Sequence, residues 1–230
     1  MLEGIHLCQS WVKTGKTPEW VVIDRAVEDN IEIQALVLSS PPERLVLLEA
    51  GLFKSLSDVV TAQGVLFVVT VTENALPDLV NRTCIMLDRI QDPGNVGTIL
   101  RTAAATGVRM VFASDQTASL WSPKVLRSAQ GAHFALRLHE RVDLQDLMSH
   151  VVVPTIATTL AGSTQLYHTA LPPHCAWIFG HEGQGIRQVL IDQANISVHV
   201  PIDSTAVESL NVAVCAALCL YEQRRQHPLA

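Results

Sequence analysis

Apolar positions along this chain fall into short runs whose period changes from segment to segment. In residues 5–14 they recur at helical spacing and predict an amphipathic helix. Residues 20–24 (WVVID) and 34–38 (QALVL) are compact runs that predict strands, residues 46–56 predict a helix, and residues 64–71 (GVLFVVTV) predict a further apolar strand. Together they describe a small α/β unit over residues 1–75. The polar stretch 72–82 (TENALPDLVNR) carries Asn and Pro, which interrupt any continuing pattern, and residues 76–82 are expected to be a linker.

From residue 83 onward the rhythm becomes strand–helix–strand. Residues 84–88 and 108–113 predict strands on either side of a helix over 96–106, with Gly107 placed to end it. Ser122 followed by Pro123 predicts a helix start running to about residue 129. Strands are expected at 151–157, 176–180 and 196–201, and helices at 185–194 and at the C-terminal end of the chain. Such alternation predicts an α/β domain over 83–230 with a mostly parallel sheet covered on both faces.

Composition narrows the function classes. The 230 residues are 48% apolar, which fits a folded protein and excludes a wholly disordered one. The formal charge of −6 lies entirely in residues 1–80, which hold five basic and eleven acidic residues, and argues against a purely electrostatic nucleic-acid binder. Five cysteines without CxxC spacing suggest reduced thiols, with Cys215 and Cys219 as core residues of a helix. The nine histidines show no HExxH-type spacing, so no metal is expected. The first residues have no basic, apolar leader pattern, and the longest apolar run, 212–221, is about half of the ~20 residues a membrane helix needs. A cytoplasmic protein is expected.

Three stretches follow predicted strand ends, where open α/β sheets gather ligands. In residues 87–107, Asn95 is placed to cap a helix, and Asn95, Thr98, Arg101 and Thr102 share its polar face while Val96, Ile99, Leu100 and Ala103 face inward. That face reads equally as a solvated one. An Arg near a helix start opposes the dipole, and a bound phosphate would resolve the conflict. In residues 177–186 (WIFGHEGQGI), Gly180, Gly183 and Gly185 surround Glu182 on a strand–helix turn that is neither GxGxxG nor a Walker A sequence. In residues 200–226, Ser209 or Asn211 can cap a long helix with Arg224 and Arg225 in its last turn.

These stretches, in this order, resemble the three motifs of the SpoU (TrmH) family, a branch of the SPOUT superfamily of RNA methyltransferases. The matching pieces are NVGTILRTA, FGHEGQG and ESLNVAV…YEQRRQ, with SPKVLR between the first two. The resemblance implies a SPOUT α/β knot: a parallel sheet with a C-terminal trefoil knot, preceded by a small RNA-substrate-binding domain. It also implies a homodimer, S-adenosylmethionine (AdoMet) as methyl donor, and transfer to a ribose 2′-hydroxyl of rRNA or tRNA. Asn95, Arg101, Glu182, Ser209 and Asn211 match the family's functional polar positions. Gly180, Val200, Ile202 and Leu210, with Thr158 and Thr159 nearby, match the cofactor pocket. Lys124 and Arg127, three residues apart on one helix face, are the candidate RNA contacts, and the same face also reads as merely solvated. The loop over 202–207 departs from the family in lacking a glycine. The chain also starts where many relatives have a further strand and a basic segment, which implies an abbreviated or truncated first domain.

Chemically, a guanidinium is a poor base, so Arg101 is expected to hold a substrate phosphate and stabilise a developing alkoxide. Asn95 is expected to orient Arg101 or the ribose, and Glu182 to orient substrate groups. Two other readings use the same fold: a catalytically idle RNA-binding or ribosome-assembly factor, and a base-nitrogen methyltransferase.

Overall fold

The computed structural model describes every residue except Asp58, Val60, Glu73, Leu229 and Ala230. The chain forms two compact units, Met1–Thr72 and Glu73–Ala230. The first contains β1 (Leu2–Glu3), α1 (Ile5–Val12), β2 (Trp20–Asp24), α2 (Ile31–Leu38), β3 (Leu45–Leu48), α3 (Ala50–Leu56) and β4 (Val65–Val68). Its sheet runs β1-β4-β2-β3, with β3 parallel to β2 and the other pairs antiparallel. Val22, Phe53 and Leu66 form a buried cluster.

Two expectations fail here for local reasons. Residues 34–38 belong to helix α2, because Asn30 caps it, accepting from Glu32 N at 2.9 Å and Ile33 N at 3.3 Å. A short apolar run alone does not distinguish the two periods. Residues 46–48 are not helical: after Pro41 and Pro42 the chain enters β3, and helix α3 starts only at Ala50.

The second unit contains β5 (Cys84–Asp88), α4 (Pro93–Ala105), β6 (Met110–Ala113), α5 (Pro123–Ala129), β7 (Arg137–His139), α6 (Leu144–Met148), β8 (Thr155–Thr158), β9 (Thr164–Gln165), β10 (Ala176–Gly180), α7 (Gln188–Gln193), β11 (Ile196–His199) and α8 (Val212–Gln226). Its seven strands are all parallel, in the order β7-β6-β5-β10-β8-β11-β9. Both faces are covered, as a parallel sheet requires. Ile85 and Leu87 point into the core that includes Leu100, Trp177, Phe179 and Leu220. Cys84 and Met86 alternate onto the other face with Phe112, Ile178 and Leu190. The short elements β7, α6 and β9 carry too few residues for a readable period.

Residues 76–82 are not a free linker. Val80 is fully buried, its N–H donates to His150 O, and Val152 N donates back to Val80 O, which builds this stretch into the second unit. Helix α4 starts earlier than expected: Asp92 is its cap, accepting from Asn95 N at 2.8 Å, with Pro93 in the first turn. Asn95 is therefore not the cap, and its side chain is free for other partners. Gly107 has φ +83° and ends the helix as expected. Helix α7 begins three residues later than expected, because residues 181–185 fold back on themselves. All five cysteines are free thiols, and Cys219 lies in the core. No described helix is long and apolar enough to cross a membrane.

Candidate active site

Strands β5 and β10 end side by side, with Asp88 paired to Gly180 in register. Two loops therefore leave the carboxyl edge of the sheet together. Asp88 is fully buried and ties them: its Oδ2 accepts from Arg187 N and its Oδ1 from Arg187 Nε, both at 2.8 Å. Arg89, with φ +58°, lies 3.7 Å from the same carboxylate and donates from Nη1 to Gln184 Oε1 at 3.1 Å. His181 Nδ1 accepts from Gly183 N and Gln184 N, so the loop after β10 is also braced from within. The loop returns so closely that a Cβ on Gly180 would lie 2.3 Å from Ile186 N. Gly180→Ala is accordingly expected to cost about 1–3 kcal/mol of stability, read from the urea midpoint; an unshifted midpoint would show that the loop yields freely.

This bracing places Glu182 over the start of α4. Its carboxylate accepts from Gln91 N at 3.3 Å, Asp92 N at 3.2 Å and Asn95 Nδ2 at 3.0 Å. Partial burial pushes the Glu182 carboxyl up, but the Asn95 amide and the backbone N–H groups outweigh it and hold the group below its ordinary value. Asn95 spends its other polar atom on Asn211: Asn211 Nδ2 donates to Asn95 Oδ1 at 2.9 Å. Asn211 Oδ1 meanwhile caps α8 through Ala213 N and Val214 N. One hydrogen-bonded chain, Glu182–Asn95–Asn211, thus joins the three motif stretches. Asn95 makes these two hydrogen bonds and none to Arg101 among the described residues.

Arg101 stands apart from this chain. It lies on α4 six residues beyond Asn95, about 9 Å along the helix axis, exposed and without a hydrogen bond or ion pair among the described residues. Thr98 and Thr102 on the same face bond the carbonyls of Gly94 and Thr98. Ser209 is exposed and makes no side-chain hydrogen bond among the described residues.

The remaining positions line three neighbouring strand ends. Thr158 Oγ1 donates to Ile178 O of β10 at 3.0 Å, and Thr159 N donates to Val198 O of β11 at 3.0 Å. Gly180 and Val200 are buried at the adjoining ends, while Ile202 is half-buried and Leu210 is exposed. Apolar side chains beside strand-end backbone groups fit an AdoMet adenosine, which offers an apolar face and a polar edge. Asp203 makes the glycine-less turn, accepting from Thr205 N at 3.0 Å and Thr205 Oγ1 at 2.6 Å. No group of metal-ligating side chains occurs among the described residues.

Lys124 and Arg127 flank a second feature. With Asp92, Gly94 and Ser128 they line an open cavity of about 450 Å³ beside the start of α4. Arg127 Nη1 is buried without a hydrogen-bond partner among the described residues. Helices α4 and α5 approach closely at Gly97, where a Cβ would meet Ser128 Cβ at 2.4 Å. Asp88 and Arg187 leave little trace in the sequence beyond a carboxylate ending an otherwise apolar strand.

Comparisons with known proteins identify the family. The SpoU rRNA Methylase family model matches residues 82–221. The chain is 32% identical over 234 residues to the 23S rRNA (guanosine(2553)-2′-O)-methyltransferase of Bacillus subtilis, covering 97% of this chain and 88% of that one. It is 30% identical over 218 residues to the 23S rRNA (guanosine-2′-O-)-methyltransferase of Neisseria meningitidis, covering 90% and 82%. Among solved structures, an AdoMet-bound rRNA methyltransferase from Sinorhizobium meliloti superposes with a TM-score of 0.79 at 25% identity, covering 99% and 87%. The chain belongs to the SpoU rRNA methylase family.

Proposed function

We propose that this protein is an AdoMet-dependent methyltransferase acting on a ribose 2′-hydroxyl of rRNA or tRNA. The carrying observation is the Glu182–Asn95–Asn211 chain, which links three motifs distant in sequence at the carboxyl edge of the sheet. The 2′-O-methyltransferase relatives and the AdoMet-bound neighbour support the reaction and the cofactor.

When bound, AdoMet supplies a methyl group already activated by its sulfonium. Thr158, Thr159, Gly180, Val200, Ile202 and Leu210 are the residues to hold it, and the apolar ones keep water out. The N–H groups that Glu182 accepts from favour its charged form, and through them it holds the first turn of α4 in place. Asn95 and Asn211 fix the start of α8 against α4, and Ser209 borders that junction. Arg101 offers a guanidinium free of partners to a substrate phosphate and to the developing alkoxide, and the proton leaves through phosphate or water.

Further features follow from the same reading. The first unit is an RNA-substrate-binding domain. Val214 and Tyr221, seven residues apart and about half exposed on α8, supply a face for a homodimer. The 171–173 segment grips α8, with Leu171 N donating to Gln226 Oε1 and Gln223 Nε2 to Pro172 O, an arrangement that suits a C-terminal trefoil knot. Free thiols suit a cytoplasmic location.

The test is methyl transfer from labelled AdoMet to total rRNA and tRNA, followed by mass spectrometry of the digested nucleosides. A 2′-O-methylated nucleoside is expected; a base-methylated product, or no incorporation, overturns the reading. Lys124 and Arg127 are the RNA phosphate contacts in this reading, because both line the open cavity beside the start of α4. A Lys124→Gln, Arg127→Gln double variant should reduce the salt slope of RNA binding by about 0.7–0.9 per lost contact. An unchanged slope rejects that contact.

A further inference from the structure

The opposite edge of the parallel sheet carries a second cluster of cationic side chains. Arg82 lies two residues before β5, Arg109 immediately before β6, and His174 two residues before β10. These three strands are neighbours in the order β6-β5-β10, so the residues gather at one place. Arg224 and His227, at the end of α8, close the group around a cavity of about 320 Å³. The motif residues sit at the other ends of the same strands, about 16 Å away along a five-residue strand.

Among the described residues no carboxylate lines this cavity. Part of the positive charge serves the ends of helices, where cations are favoured. Arg109 Nη1 donates to Ala104 O at 3.0 Å in the last turn of α4, and Arg224 Nη1 donates to His227 O at 3.3 Å. His227 Nε2 lies 2.7 Å from Leu171 O. The rest is unspent. Arg224 Nη2 is buried with no acceptor, and Arg82 makes no ion pair or hydrogen bond among the described residues. Arg82, Arg109, His174 and Arg224 thus converge on a cavity that no described carboxylate neutralises, and a phosphate would supply the missing counter-charge.

We propose that this cavity is an anion site that takes phosphate groups, with Arg82, Arg109 and Arg224 as its donors. The phosphate comes either from a free nucleotide or from an RNA strand that continues past the methyl-transfer site to the far edge of the sheet. The site is separate from the Glu182–Asn95–Asn211 chain and does not depend on the reaction assigned to it.

The experiment is calorimetric titration of inorganic pyrophosphate into the full-length protein and into Arg109→Gln, Arg224→Gln and the double variant. Arg109 is exposed, so its variant remains informative if Arg224→Gln folds poorly. Wild-type protein should bind pyrophosphate, each single variant should weaken it at least threefold, and the double variant at least tenfold. A labelled RNA oligomer, measured at several salt concentrations, separates the two sources. A salt slope lowered by about 0.7–0.9 per lost contact in the variants assigns the phosphate to RNA. An unchanged RNA slope with lost pyrophosphate binding assigns it to a free nucleotide. Absence of pyrophosphate binding to the wild type, or equal binding by all four proteins, overturns the site.

Discussion

Arg101→Ala should retain AdoMet binding and lose methyl transfer by about 10²–10³-fold, the usual cost of removing one donor aimed at developing charge. The side chain is exposed, shares no hydrogen bond with the Glu182–Asn95–Asn211 chain, and stands on a helix whose core-facing residues are untouched by the change. Stability should therefore hold while kcat falls. Arg101→Lys should recover only a small part, because an ammonium keeps the charge but loses the planar fork. Measured together, AdoMet affinity and single-turnover transfer decide the matter. A variant that methylates at the wild-type rate would remove Arg101 from the reaction.

Asp88→Ala is expected to act in the opposite way, through stability and loop position together. Asp88 is fully buried, and its two oxygens hold the backbone and guanidinium nitrogens of Arg187. Deleting the carboxylate leaves those donors without acceptors beneath the surface. Removing one partner of a buried pair costs about 3–5 kcal/mol, and partial exposure of the Arg187 side chain lowers this to about 2–4 kcal/mol. The loop that carries Glu182 is anchored by the same pair, so kcat should fall with the melting temperature. Asp88→Asn keeps one acceptor oxygen and should restore part of both. Wild-type unfolding and turnover in Asp88→Ala would show that the loop is held by other contacts.

Much of the second unit was legible because its strands are buried on both faces and read as continuous apolar runs. Residues 84–88 and 176–180 match their strands, and the three motif stretches meet beyond the carboxyl edge of the sheet. In the first unit the same signal misled: IEIQALVL is apolar enough to suit either period, and only the Asn30 side chain decides for a helix. At the site, the residue types were legible but their partners were not. Asn95 looked like a cap because it precedes an apolar face. The Asp92 carboxylate takes that duty three residues earlier and releases Asn95 to bridge Glu182 and Asn211. Partnerships spanning 87 and 116 residues leave no local trace in a sequence. Asp88 and Arg187, 99 residues apart, were missed for the same reason.

Those separations bear on how the protein is made. A nascent chain emerging from the ribosome lays down β5 and α4 long before Asn211 is synthesised, so the centre stays incomplete until the final helix begins to appear. Parallel pairings with such wide spacing also form slowly. The centre is completed by the last segment to arrive, and a chain released before residue 211 would carry Arg101, Lys124 and Arg127 but lack both the Asn211 amide and the α8 side chains that cover the sheet.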